Sequence, residues 1–253
     1  MKTKRKTWYL QKKDILYVEE NHDGLYGAKG KERLPKRKST PEDIQRVNAW
    51  NKSKRAKLRM MEYFSPGDLW ATYTYRPENR PPDMATAMKQ FRQAMDKLKR
   101  IYKKRGRELY WIRNIERGTK GAWHIHFIIN DIGDTASLIE RAWPYGGVYV
   151  TQIRKSNCPE EDFQKLADYI TKDEKTREKK KDGTWSKPRL REANYSHSRN
   201  MPLPEPKTEK LKRWPKKVKT KKGYYIAEMF EGVNPVTGYN YRHYTLIRLN
   251  RRI

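Results

Sequence analysis

The stretch that decides the fold is residues 109–130, LYWIRNIERGTKGAWHIHFIIN. Its two ends, 109–116 and 123–130, are rich in β-branched and aromatic residues, and a loop with Gly118 and Gly121 separates them. That pattern predicts a β-hairpin. Side chains alternate along a strand, so His124 and His126 point to one face, while Trp123, Ile125, Phe127 and Ile129 point to the other. One face suits a core beneath helices. The other sets two imidazoles side by side.

Outward from this hairpin the pattern continues. Residues 69–75, LWATYTY, read as a strand. Met84, Met88, Phe91, Met95, Leu98 and Tyr102 recur at spacings of 4, 3, 4, 3 and 4, a single apolar helical stripe destined for the core, and Gly106 ends that helix. Residues 134–143 predict a short helix with Leu138, Ile139 and Ala142 inward, and 147–153 a further strand. Pro159-Glu160-Glu161-Asp162 opens a last helix reaching Lys172, with Phe163, Leu166 and Ile170 as its buried stripe. The order β-α-β-β-α-β-α predicts an α+β fold, a ferredoxin- or RRM-like antiparallel sheet with one added helix. Its helices cover one sheet face and leave the other free for a site.

Four regions follow. Residues 1–66 form a basic N-terminal extension with 18 basic and 8 acidic residues. Within it, Thr40-Pro41-Glu42-Asp43 starts a helix that runs to about residue 63: Thr40 caps, Pro41 fits the first turn, and the carboxylates face the positive end of the dipole. Residues 67–173 hold the sheet. Residues 174–220, with 16 basic and 6 acidic residues and five prolines, read as a mobile basic connector. Residues 221–253 predict a Tyr-rich C-terminal hairpin, strands 224–230 and 239–249 around Asn234-Pro235-Val236-Thr237-Gly238.

The 253-residue chain carries 59 Lys or Arg against 30 Asp or Glu, a formal charge of +29. A chain so positive repels itself unless a polyanion screens it, which points to nucleic acid. Apolar residues are only 35% of the chain, yet 12% are aromatic, so full disorder is excluded. No run approaches the roughly 18 apolar residues of a membrane span, the start of the chain has no apolar signal core, and no membrane partner is expected. The single cysteine, Cys158, excludes a disulfide framework or a multi-cysteine metal site. Lys52, Lys54, Arg55, Lys57 and Arg59 crowd the second half of the first helix; they, Lys165 and Arg199 are candidate phosphate contacts, the alternative being a solvated helix face.

The chemistry gathers around the histidines. Two neutral imidazoles can share a metal ion, although a His-x-His pair by itself is more often packing. If the register sets Glu116 opposite His124, its carboxylate joins the same face, and a two-His, one-carboxylate set suits manganese or magnesium acting on a phosphate. On the last helix, Tyr169 flanks the buried stripe and Lys172 lies one turn on, on the same side. A tyrosine near a metal can be an oxygen nucleophile, and a lysine beside it can stabilise charge. Alone, each would read as packing or as a solvated side chain.

Glu116-Arg117-Gly118-Thr119-Lys120-Gly121-Ala122-Trp123-His124-Ile125-His126, followed by Tyr169-Ile170-Thr171-Lys172, resembles the HUH endonucleases, and within them the rolling-circle replication initiators of small plasmids and single-stranded DNA phages. Strand 69–75 is similar to the family's first motif, although Trp70 and Tyr73 stand where smaller or aliphatic residues are common. Ser196-His197-Ser198-Arg199-Asn200 resembles a sequence that follows the catalytic helix in the phage branch. The resemblance covers about half the chain. It implies that His124, His126 and Glu116 bind Mn2+ or Mg2+, and that Tyr169 attacks a single-stranded or extruded origin DNA. The products would be a 5′-phosphotyrosine and a free 3′-hydroxyl, with Lys172 assisting and no ATP needed. It also implies a bacterial cytoplasm and a host helicase and polymerase as partners. Lys165 stands where two-tyrosine relatives carry the second tyrosine. Gly27-Ala28-Lys29-Gly30-Lys31 lacks phosphate-loop spacing, so no helicase is attached. His22, His197 and His243 show no strand context for a third histidine ligand.

Two rivals stay open at this point. A single-tyrosine transposase would share metal and nucleophile. A non-catalytic RRM-like nucleic-acid-binding protein would explain charge, aromatics and fold, and leave the histidines incidental.

Overall fold

A computed structural model describes residues 3–22, 30, 38, 40–153, 159–177, 180–234 and 238–249. Cys158, most of the 27–31 stretch and the centre of the turn at 234–238 lie outside them. In chain order the elements are β1 (Thr3–Leu10), β2 (Ile15–His22), α1 (Pro41–Tyr63), β3 (Leu69–Thr74), α2 (Met84–Lys104), β4 (Trp111–Gly118) and β5 (Trp123–Ile129). There follow α3 (Thr135–Ala142), β6 (Val148–Gln152), α4 (Pro159–Ile170), β7 (Leu190–His197), β8 (Lys207–Leu211), β9 (Tyr224–Val233) and β10 (Asn240–Arg248). The fold is α+β, with two antiparallel five-stranded sheets ordered β8-β1-β2-β10-β9 and β6-β3-β5-β4-β7. Residues 63–156 and 165–202 form one unit, and 1–62, 157–164 and 203–253 the other.

In the unit that holds the histidines, α2 starts where Asp83 accepts from Thr86 N at 2.7 Å, a side-chain cap, and Gly106 follows its end at a positive φ of 66°. Phe91, Met95, Leu98 and Tyr102 of the predicted stripe are buried, together with Ala87 and Ala94. They pack with Leu138, Ile139 and Ala142 of α3 onto Ala71, Tyr73, Ile115, Ile125, Phe127 and Ile129. Each large side chain so buried contributes about 1.5–3 kcal/mol. Tyr73 stacks on Trp143 at 4.2 Å and donates to Ile139 O at 3.0 Å, so it belongs to the core. Gly146 is fixed by a close approach: a Cβ there would lie 2.1 Å from Thr74 O. The strand order β6-β3-β5-β4 is the split β-α-β arrangement. β7 adds a fifth strand beside β4.

The other unit departs further from the sequence reading. Residues 3–22, whose composition suggests only a basic extension, are a β-hairpin with Thr3 opposite His22 and Leu10 opposite Ile15. The C-terminal hairpin forms as expected, and β10 pairs with β2. The ends of the chain thus share one sheet. The segment expected to be a mobile connector holds β7 and β8, one strand in each sheet. Its charged residues mask strand alternation, because edge strands admit Lys and Glu. α1 does start at Thr40, whose Oγ1 accepts from Asp43 N at 3.2 Å while Asp43 Oδ2 accepts from Thr40 N at 3.1 Å.

Candidate active site on the open sheet face

The register of β4 and β5 sets Glu116 opposite His124 and Asn114 opposite His126. Pairing of β3 with β5 sets Thr74 opposite His124 and Thr72 opposite His126. Alternation therefore gathers Thr72, Thr74, Asn114, Glu116, His124 and His126 on the sheet face opposite α2 and α3. The two imidazoles stack at 6.1 Å between centroids, 9° from parallel. Glu116 is 4% exposed. Its Oε2 lies 3.8 Å from His126 Nε2 and 3.1 Å from Lys172 Nζ, and its Oε1 accepts from Asn114 Nδ2 at 3.2 Å.

Residues 165–170 of α4 and the turn after it deliver the other two groups. Tyr169, 42% exposed, sets its hydroxyl 3.3 Å from His126 Nε2. Lys172 Nζ lies 3.9 Å from the centre of the Tyr169 ring. The turn is pinned by Asn114, whose amide donates to Lys172 O at 3.0 Å. All five residues expected to carry the chemistry are thus neighbours.

Three further residues complete the site. Thr72 Oγ1 lies 2.9 Å from His126 Nδ1. Both contacts of His126 are met by one tautomer, with Nδ1 donating to Thr72 and Nε2 accepting from the Tyr169 phenol. Trp70 lies nearly parallel to His126 at 6.0 Å and meets Tyr169 edge-on at 5.6 Å. Asn114 braces Glu116 and the tyrosine turn together. Their signal is present in the spacing, since Trp70 and Thr72 alternate in 69–75 and Asn114 stands two before Glu116. Only the register shows that these positions meet the histidines.

Burial lowers the pKa of His126 to about 4, with the Lys172 ammonium and His124 acting the same way. His124 is lowered by burial and by Lys172. Both rings are neutral at pH 7. Burial raises the Glu116 carboxyl, and Lys172 and Asn114 pull against it. Two neutral imidazoles and one carboxylate are donor types that fit Mn2+ or Mg2+. Asn114 Oδ1, buried and without a hydrogen-bond partner among the described residues, adds an acceptor. As they stand, no three His, Cys, Asp or Glu side chains among the described residues form a closed metal cluster, and Lys172 supplies the positive charge beside Glu116.

The expected phosphate contacts divide. Lys57 is 3% exposed and pairs with Glu228 at 2.8 Å. Lys54 pairs with Glu19 at 2.8 Å and lies over Trp50. Both lysines are internal to the sheet–helix packing of their unit. Lys52 and Arg59 are half-buried, while Arg55, Lys165 and Arg199 are exposed. The Ser196–Asn200 motif closes the edge of the sheet: Ser198 N donates to Trp111 O at 2.9 Å and Asn200 Nδ2 to Leu109 O at 3.2 Å. His22, His197 and His243 all do lie on strands, contrary to the sequence reading, but only His197 is in this sheet, at the outer strand β7. Among the described residues no helix is long and apolar enough to cross a membrane.

No curated protein and no solved structure matches the chain. Residues 68–174 match a family model described as replication-associated protein, of the ORF2 type. Those residues contain Glu116, His124, His126, Tyr169 and Lys172, so the stretch similar to replication-associated proteins is the one that carries the whole cluster.

Proposed function

We propose that this chain is a replication initiator that nicks single-stranded origin DNA by tyrosine transesterification and rejoins it. The observation that carries the reading is the Tyr169 hydroxyl, 3.3 Å from His126 Nε2, on the same open face as Glu116. Tyr169 Oη attacks phosphorus; the Tyr–O–P bond forms and the P–O3′ bond breaks. The 5′ side stays on the enzyme, and the phenol proton passes to the released 3′ oxygen by way of solvent. Lys172, beside both the ring and Glu116, stabilises the charge that develops on the phenol oxygen. Rejoining reverses these bond changes, so no nucleotide triphosphate is consumed. His124, His126 and Glu116 would hold Mn2+ or Mg2+, which when bound polarises the scissile phosphate. Thr72 fixes the His126 tautomer that leaves Nε2 facing the site. Similarity to a replication-associated family favours replication over transposition. A host helicase and polymerase in the bacterial cytoplasm belong to the same reading.

The test incubates the protein with labelled single-stranded DNA from its own replicon and Mn2+, then looks for a covalent adduct. We expect an adduct in wild type, none in Tyr169→Phe, and a loss of about 100-fold or more in His124→Ala or His126→Ala. Salt-sensitive DNA binding should persist in all three variants. An adduct that survives Tyr169→Phe would break the assignment.

A further inference from the structure

We infer that Tyr149 is a stacking platform for a base of the bound single strand, next to the phosphate presented to Tyr169. The inference rests on the reading that single-stranded DNA crosses this face. Tyr149 is 68% exposed, the highest value for a large apolar side chain among the described residues. It sits mid-strand on β6, an outer strand of the sheet. Val148 and Val150 pack against the core, so alternation turns Tyr149 and Thr151 to the open face. Tyr149 is opposite Thr72, and Thr72 is opposite His126. The tyrosine thus shares a row with the histidine, two strand spacings or about 10 Å away.

The ring is also positioned. Gly147, two residues back on the same face, has no side chain to displace it, and a Cβ there would lie 3.7 Å from Tyr149 Cε2 and 3.1 Å from Thr74 Oγ1. The ring therefore leans over Gly147 toward the row of Thr74 and His124. Thr72 stands between Tyr149 and His126, so no carboxylate in that row repels a strand running from one to the other. An aromatic ring so exposed contributes little to folding, yet every base offers it a flat face.

The test measures binding of oligothymidylate by fluorescence anisotropy in the Tyr169→Phe background, without metal, at salt high enough to weaken phosphate contacts. Removing one stacked base should weaken binding about 5- to 150-fold in Tyr149→Ala. The salt slope and melting temperature should stay unchanged, and Tyr149→Phe should bind as the parent. Gly147→Val, which moves the ring, should weaken binding in the same direction. Wild-type affinity in Tyr149→Ala, or equal loss in Tyr149→Phe, overturns the platform. A failure of wild type to form the covalent adduct would sink nicking and leave this binding result intact. A chain that binds no single strand at all would overturn both.

Discussion

The two sheets have the same number of strands and the same antiparallel pairing, and they treat buried charge in opposite ways. In the sheet formed by the chain ends, each buried acid has a basic partner. Glu20 lies between Arg5 and Arg242, Arg242 also reaches Glu231 at 2.9 Å, Glu19 meets Lys54 and Glu228 meets Lys57. The charges there cancel locally and serve packing. In the other sheet, two imidazoles with lowered pKa, one buried carboxylate, one lysine and one half-exposed phenol converge on an open face. Burial there is partial and the groups face outward, so the cost of desolvation is retained where a substrate can use it. Paired charge marks structure, and gathered charge on an exposed face marks chemistry.

Stability measurements put this contrast at greatest risk. Glu20→Ala removes the carboxylate from a side chain of 0% exposure and leaves Arg242 short of a partner. We expect a loss of about 3–5 kcal/mol in urea unfolding, with adduct formation retained below the transition. A neutral result would mean that the pairing in this sheet carries no structural weight.

A pH titration probes the other side. His126 has a folded pKa of about 4 against an ordinary 6.5, so the unfolded chain takes up the proton first as pH falls. Its contribution is complete above about pH 6.5 and disappears progressively toward pH 4, a total of about 3 kcal/mol. Metal-free wild type should show this slope, and His126→Asn should flatten it. The same slope in both would place the depressed group elsewhere.

The smallest effect concerns the basic helix α1. Arg55 is exposed, whereas Lys57 is buried against Glu228. Arg55→Ala should reduce the slope of log affinity against log salt for single strands by about 0.7, the share of one phosphate contact. Lys57→Met should leave that slope unchanged. A change in the Lys57 variant alone would reverse the distinction between the two lysines.

How much of this is readable from the chain alone differs along its length. The helix of 84–104 and the hairpin of 111–129 are legible because their apolar periodicity follows directly from one buried face. Glu116, His124 and His126 are legible as candidates because alternation alone puts both histidines on one side. Lys54 and Lys57 mislead, because a helix of basic residues looks solvated until its acidic partners on distant strands are known. The strands β1, β2, β7 and β8 escape for a related reason. Their charged residues are satisfied across the sheet, by partners that no local pattern contains.

Local sequence was enough to specify the alternating faces, the helical stripe, the caps at Thr40 and Asp83, and the set of chemical groups near residues 116–126 and 169–172. These depend on neighbours within a few positions, where backbone geometry alone fixes direction. Folding in three dimensions was needed for the register that sets Glu116 against His124, the turn that carries Tyr169 to His126, and the joining of both chain ends in one sheet. Such contacts link residues up to hundreds of positions apart, and their free energy depends on burial and charge pairing that exist only once the chain has folded.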